Sequence, residues 1–121
     1  MPVELFKVVH ICGILMIFAG LSGLVGLYST GGPVRAGLRV ALAMIHGFGM
    51  LFVILSGFAM AGMLGYLNSI PLWIYLKLTI WLLLGVSMVF AKRKAGWGAG
   101  WLLSWVLLGT AAAYLALFKP V

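Results

Sequence analysis

Apolar residues fall along this chain in four long blocks, and the polar residues collect in the gaps between them. The blocks run from about Leu5 to Tyr28, Val40 to Tyr66, Leu72 to Ala91 and Trp97 to Phe118. At about 1.5 Å of rise per helical residue, each can cross about 30 Å of hydrocarbon. Helices satisfy every backbone group within the span, and no alternation of a strand kind is present. The gaps have turn chemistry. Ser29-Thr30-Gly31-Gly32-Pro33 closes the first block, Asn68-Ser69-Ile70-Pro71 separates the second and third, and Lys92-Arg93-Lys94-Ala95-Gly96 separates the third and fourth. Pro71 suits a helix start. Connections this short make neighbouring helices antiparallel. The expected fold is an all-α membrane protein, one transmembrane domain over residues 1–121, built as an antiparallel bundle of four transmembrane helices.

Composition agrees with that pattern. Of 121 residues, 65% are hydrophobic and only 7% are charged. A soluble domain is about 45–50% apolar and about a quarter charged, so the bilayer must solvate much of this chain. The net charge of +7 does not mark a nucleic-acid binder, because the cations sit singly or in short groups at the ends of apolar runs. They do orient the chain. Arg35, Arg39, Lys92, Arg93 and Lys94 outnumber Lys7, Lys77 and Lys119 on the opposite side, which also carries Glu4. The excess places the first and third loops in the cytoplasm and both termini on the non-cytoplasmic side. The setting is the cytoplasmic (inner) membrane of a bacterium, with the chain multi-pass. The first block reads as a permanent span rather than a cleavable signal. Cys12, the single cysteine, reads as an inert thiol.

Small residues suggest where helices meet. Gly20, Gly23 and Gly26 recur in the first helix. Ala43, His46, Met50, Val53, Gly57 and Ala61 share one face of the second. Such faces let backbones approach closely in a membrane. Trp97, Trp101 and Trp105 share a face of the fourth helix, with the first two suited to an interfacial belt.

Chemistry must come from few residues. The one acid, Glu4, lies at the edge of the first span, so no carboxylate sits at membrane depth. Proton-coupled exporters depend on such a group. His10, His46 and Lys77 are the ionisable residues inside apolar runs. Counting residues puts His10 and Lys77 about 8 Å in from the same side, with Tyr114 near that depth. They form one polar site, or the first two merely snorkel to the interface. His46 lies about 9 Å in from the other side, level with Ser22, Ser87 or Met88, and Ser104 or Trp105. Either it pairs with Met88 as a haem ligand, or it is a neutral core histidine hydrogen-bonded to Ser87 or Ser104. Axial nitrogens sit about 4 Å apart across one iron, whereas His10 and His46 differ in depth by roughly 13 Å. If both bind haem, two sites are expected rather than one.

Lys7-Val8-Val9-His10, His46-Gly47 with Ser56-Gly57-Phe58, and Trp73-Ile74-Tyr75-Leu76-Lys77-Leu78 resemble a broad group of small bacterial multi-helix membrane proteins. The group includes the HemJ-type protoporphyrinogen oxidases, CopD-like copper-resistance proteins and SirB-type integral membrane proteins. The resemblance covers about the first three helices. It implies haem b association, with His10 and Lys77 as the functionally important pair and His46 as the second-helix histidine. Val9 and Ile11 stand where those enzymes carry a Trp or Arg beside the first histidine. The chain is also shorter, so the resemblance reaches haem or quinone binding more readily than porphyrinogen oxidation.

Three functions follow as expectations. The first is a haem- or quinone-binding redox protein, with His10 and His46 as metal ligands or hydrogen-bond donors and Lys77 pairing with a propionate or a semiquinone anion. The second is a non-catalytic membrane subunit, assembly factor or scaffold whose partner is another membrane protein or a second copy. The third is a small channel or transporter, for copper if the thioethers of Met44, Met50, Met60 and Met63 serve it.

Overall fold

The computed structural model describes residues 3–30 and 32–119, with Ala95 described by its backbone alone. Gly31, part of the first turn, lies outside the described residues. The chain forms four α-helices: α1 (Val3–Ser29), α2 (Ala36–Met63), α3 (Leu72–Arg93) and α4 (Gly98–Phe118). A short 3-10 turn, Ala95–Trp97, leads into α4. No strand occurs among the described residues. All four helices are long and apolar enough to cross a membrane.

The helix ends differ from the apolar blocks for local reasons. α2 starts at Ala36, before its apolar run, because Ala36, Leu38 and Arg39 are good helix formers. It stops at Met63 rather than continuing to Tyr66. Gly65 takes a left-handed backbone (φ 83°), its N–H returns to Gly62 O, and the Tyr66 N–H returns to Ala61 O. That is a Schellman closure, which glycine permits without a Cβ clash. Pro71 directly precedes α3 with an extended backbone (φ −70°, ψ 157°), as its missing N–H allows.

α1 is the central helix. It packs on α2 along most of its length and also touches α3 and α4, whereas the backbones of α2 and α4 stay apart. Its buried residues Gly13, Ile17, Gly20, Leu21 and Leu24 fall at positions i, i+4, i+7, i+8 and i+11, so they form one stripe. The core joins Ile17, Leu21 and Val25 of α1 to Leu84 and Ala91 of α3 and Trp105 of α4.

The α1–α2 seam has almost no side chain at its crossing. A Cβ on Gly13 would lie 2.9 Å from Gly49 O, and a Cβ on Gly49 would lie 2.7 Å from Gly13 O. One on Gly20 would meet the His46 Cβ at 2.7 Å and Leu42 O at 2.8 Å. The other glycines of the sequence pattern matter less. Gly23 faces only the flexible tip of Leu42, Gly57 has ordinary contacts with the His10 ring, and Gly26 faces open space.

Elsewhere the surface is apolar. Leu15, Leu55, Leu103, Val106 and Leu107 are each more than 60% exposed, as a bilayer requires and water would not tolerate.

Candidate functional site

Two polar assemblies form among these apolar helices, and they differ in whether they leave anything over for a ligand.

The first closes on itself. His46, on the inner face of α2, directs Nε2 at the carbonyl of Leu84 in α3, 3.3 Å away. A carbonyl only accepts, so Nε2 carries the proton. The same carbonyl accepts the Ser87 hydroxyl (2.8 Å), and Ser87 Oγ in turn accepts the indole N–H of Trp105 (3.0 Å). His46, Ser87 and Trp105 are all buried. Three helices are thus tied through one carbonyl, while Gly20 of α1 lets the His46 backbone approach. A further bond, Trp81 Nε1–H to Met50 O (3.0 Å), links α3 to α2. Of the residues expected level with His46, Ser87 and Trp105 join this assembly. Ser22 and Ser104 are exposed. Ser104 bonds its own helix at Gly100 O. Met88 is partly buried and packs against the core.

The second assembly stays open. His10 of α1 reaches Ser56 of α2, with Nδ1 and Oγ 2.9 Å apart. Ser56 Oγ also lies 2.5 Å from Phe52 O and 3.2 Å from Val53 O. Two oxygens that close require the hydroxyl proton between them, so Ser56 donates along its own helix. It must then accept from His10 Nδ1–H. That tautomer leaves the Nε2 lone pair available. Lys77, half-buried on α3, is near enough for its charge to act on His10. Beside Ser56, Phe6, Val9, Phe52 and Leu55 line a fissure of about 170 Å³. Ser56 was not singled out as a site residue from the sequence. The available signals were its place among apolar residues and in the run Ser56-Gly57-Phe58 quoted for the resemblance.

The remaining candidates lie apart. Tyr114 is exposed and packs on Phe118, ring centroids 4.9 Å apart. Met50 lies against Gly85, while Met44 and Met63 are on the surface. Cys12 is exposed, with Sγ 3.9 Å from the Met16 sulfur. Among the described residues no three His, Cys, Asp or Glu side chains come together.

A haem held between His10 and His46 does not fit this geometry. His46 spends Nε2 on Leu84 O, and the α1–α2 backbones meet at Gly13 and Gly49, leaving no slot for a porphyrin plane. The His10 side of α1 has a free ring nitrogen but one histidine only. Compared with protein-family models, curated proteins and solved structures, the chain matches none.

Proposed function

We propose that this protein binds a membrane-soluble quinone, in its reduced quinol form, through His10 and Lys77. The observation that carries the reading is the His10–Ser56 pair: Ser56 holds Nδ1–H and leaves Nε2 as an oriented acceptor. A quinol hydroxyl can donate to Nε2, and the Lys77 ammonium can donate to an oxygen of the same head. An imidazole fixed in one tautomer loses less freedom on binding than a free one. The apolar fissure beside Ser56 offers a wall for a hydrocarbon substituent. Quinol is favoured over haem b because the fissure of about 170 Å³ is small for a porphyrin and the close α1–α2 crossing leaves no slot for its plane.

The membrane setting of the proposal is the bacterial cytoplasmic membrane, with helices antiparallel and both termini outside. The pairing order along the α1–α2 seam supports the antiparallel run of that pair: His10 with Ser56, Gly13 with Gly49, and Gly20 with His46. The basic first and third loops support the orientation. An alkaline phosphatase fused after Val121 is expected to be active, and one fused at Arg35 inactive. The reverse pattern would invert the topology.

The test of the ligand is to extract the detergent-purified protein and quantify quinone by mass spectrometry, recording oxidised and dithionite-reduced spectra in parallel. Bound quinol, recovered as quinone on extraction, is expected in the parent protein and about tenfold less in His10→Ala and Lys77→Gln, the upper end for losing one hydrogen bond. His46→Ala should retain quinone in whatever fraction remains folded. Equal quinone in all variants, or a Soret band lost with His46→Ala, would sink the proposal.

A second reading, a non-catalytic membrane subunit or homo-oligomer, is favoured by the internal closure of the His46–Leu84–Ser87–Trp105 assembly. It predicts a defined oligomer in detergent that survives His10→Ala unchanged.

A further inference from the structure

At the end of α4 the chain builds a second cationic feature that the quinone reading does not use. Lys119 caps α4 in a left-handed conformation (φ 47°), and its N–H bonds Leu115 O. Its ammonium lies 5.7 Å from the centre of the Trp73 ring and 5.8 Å from that of Tyr66. Those two rings meet edge to face, 5.5 Å apart at 87°. Cations over aromatic faces at this range are held by the ring quadrupole, so the ammonium is positioned rather than trailing in solvent. Tyr66 comes from the α2–α3 connection, Trp73 from the first turn of α3 and Lys119 from the end of α4. Three separate segments therefore fix one charge.

A second cation lies one helical turn below. Lys77 is four residues beyond Trp73, which puts both on the same face of α3 with Cβ atoms about 5–6 Å apart. Lys77 is half-buried and lies within electrostatic reach of Lys119. The chain has one acidic side chain, Glu4, and it is exposed on α1. Gathering two ammonium groups where lipid lowers the dielectric is unfavourable unless an anion joins them. Phosphate suits the pair, because its several acceptor oxygens can take charge-assisted bonds from both at once, and lysine serves such groups as a point charge.

The direction of approach selects the source. Lys77 sits one turn deeper in α3 than Trp73, and Leu72 and Leu76 are exposed on the outer turns beside it. A ligand on this face meets two cations, an aromatic pair and exposed apolar side chains on the outermost turns of α3, which are the surroundings of a lipid head at the edge of a bilayer. The geometry points to a lipid-phosphate site, in which Lys119 and Lys77 hold the phosphate head of an anionic lipid against Trp73 and Tyr66. This site shares only Lys77 with the quinone proposal and stands without it.

The test is native mass spectrometry of the delipidated full chain, titrated with phosphatidic acid, phosphatidylcholine or inorganic pyrophosphate. One tightly bound phosphatidic acid is expected, weakened about tenfold or more in Lys77→Gln and in Lys119→Gln. Lys77→Arg and Lys119→Arg should retain it, which separates loss of charge from loss of fold. Lys94→Gln, the same charge change at a distant position, should leave binding intact, as should His10→Ala. Loss in Lys94→Gln as large as in Lys119→Gln would reduce the effect to net charge and overturn the site. Undiminished binding in both glutamine variants would do the same. Pyrophosphate binding as tight as that of phosphatidic acid would overturn the lipid assignment. Loss of quinone in His10→Ala with phosphatidic acid retained would show that the two proposals succeed or fail separately.

Discussion

Gly49→Leu is expected to destabilise the bundle severely, by forcing α1 and α2 apart at their closest approach. At Gly49 the first atom of a side chain would meet backbone on the opposite helix: Gly13 O at 2.7 Å and Ile17 N at 2.8 Å, with the Met16 Cβ at 2.9 Å. None of these is a flexible tip that can rotate away. The helices must separate, and separation loses the contacts along the whole seam, because lipid tails offer no hydrophobic drive to bring them back. Overpacking ordinarily costs about 1–3 kcal/mol, and a backbone obstruction belongs at or above the upper end. The His10–Ser56 bond spans the same seam, so the quinol binding proposed above should fall with it. Thermal unfolding in detergent reads the effect. Gly47→Leu, with nothing within 4 Å of its Cβ, should leave the transition unchanged or raise it slightly by removing a glycine from a helix. Similar melting temperatures for Gly49→Leu and Gly47→Leu would mean that close backbone contact does not hold the seam.

Trp105→Ala should cost nearly as much. The indole is 1% exposed and is among the largest fully buried side chains. It stacks on Trp101 with centroids 5.9 Å apart, and its N–H holds Ser87. Truncating a buried tryptophan in a water-soluble core costs about 3–5 kcal/mol. In a bilayer the loss should lie at the lower end, because the unfolded indole also has an apolar solvent and the cost is mainly the cavity. Trp105→Phe separates the terms. It keeps much of the volume and removes the hydrogen bond, for which about 0.6 kcal/mol is typical inside membrane proteins and about 1.7 kcal/mol is the upper end. The expected order of unfolding midpoints is parent, Trp105→Phe, then Trp105→Ala. A phenylalanine variant as unstable as the alanine variant would place the energy in the Ser87 bond instead of the packing.

These two positions show how unevenly the architecture was legible. The helices were readable because each apolar block is longer than a bilayer is thick and ends in turn residues. Even so, the end of α2 depended on a left-handed Gly65 that hydropathy does not register. The buried face of α2 was readable as a periodic row, with His46, Val53 and Ala61 on it. The important glycines were not. Gly20 stood out, but Gly23 and Gly26 shared its spacing and carry little, whereas Gly13 and Gly49 form the crossing. The candidate site divides in the same way. His10, His46 and Lys77 stood out as ionisable groups in apolar sequence, and their approximate depths followed from counting residues. Neither histidine's partner did: His10 holds Ser56, and His46 holds a backbone carbonyl, a group every residue carries.

By itself the sequence determined the solvent of this protein, the number of its helices, the turns that separate them and the short roster of residues able to do chemistry. Each of those follows from local length, polarity or backbone preference. Outside α2, only the tertiary structure decided which side of each helix faces its neighbours. In water that choice is written in the contrast between apolar and polar faces. In lipid both faces are apolar, and packing chooses instead. The rotation of α1 against α2 therefore rests on the close fit of Gly13 to Gly49. That fit brings His10 to Ser56 and leaves one imidazole open, while the contacts of α3 and α4 close the other.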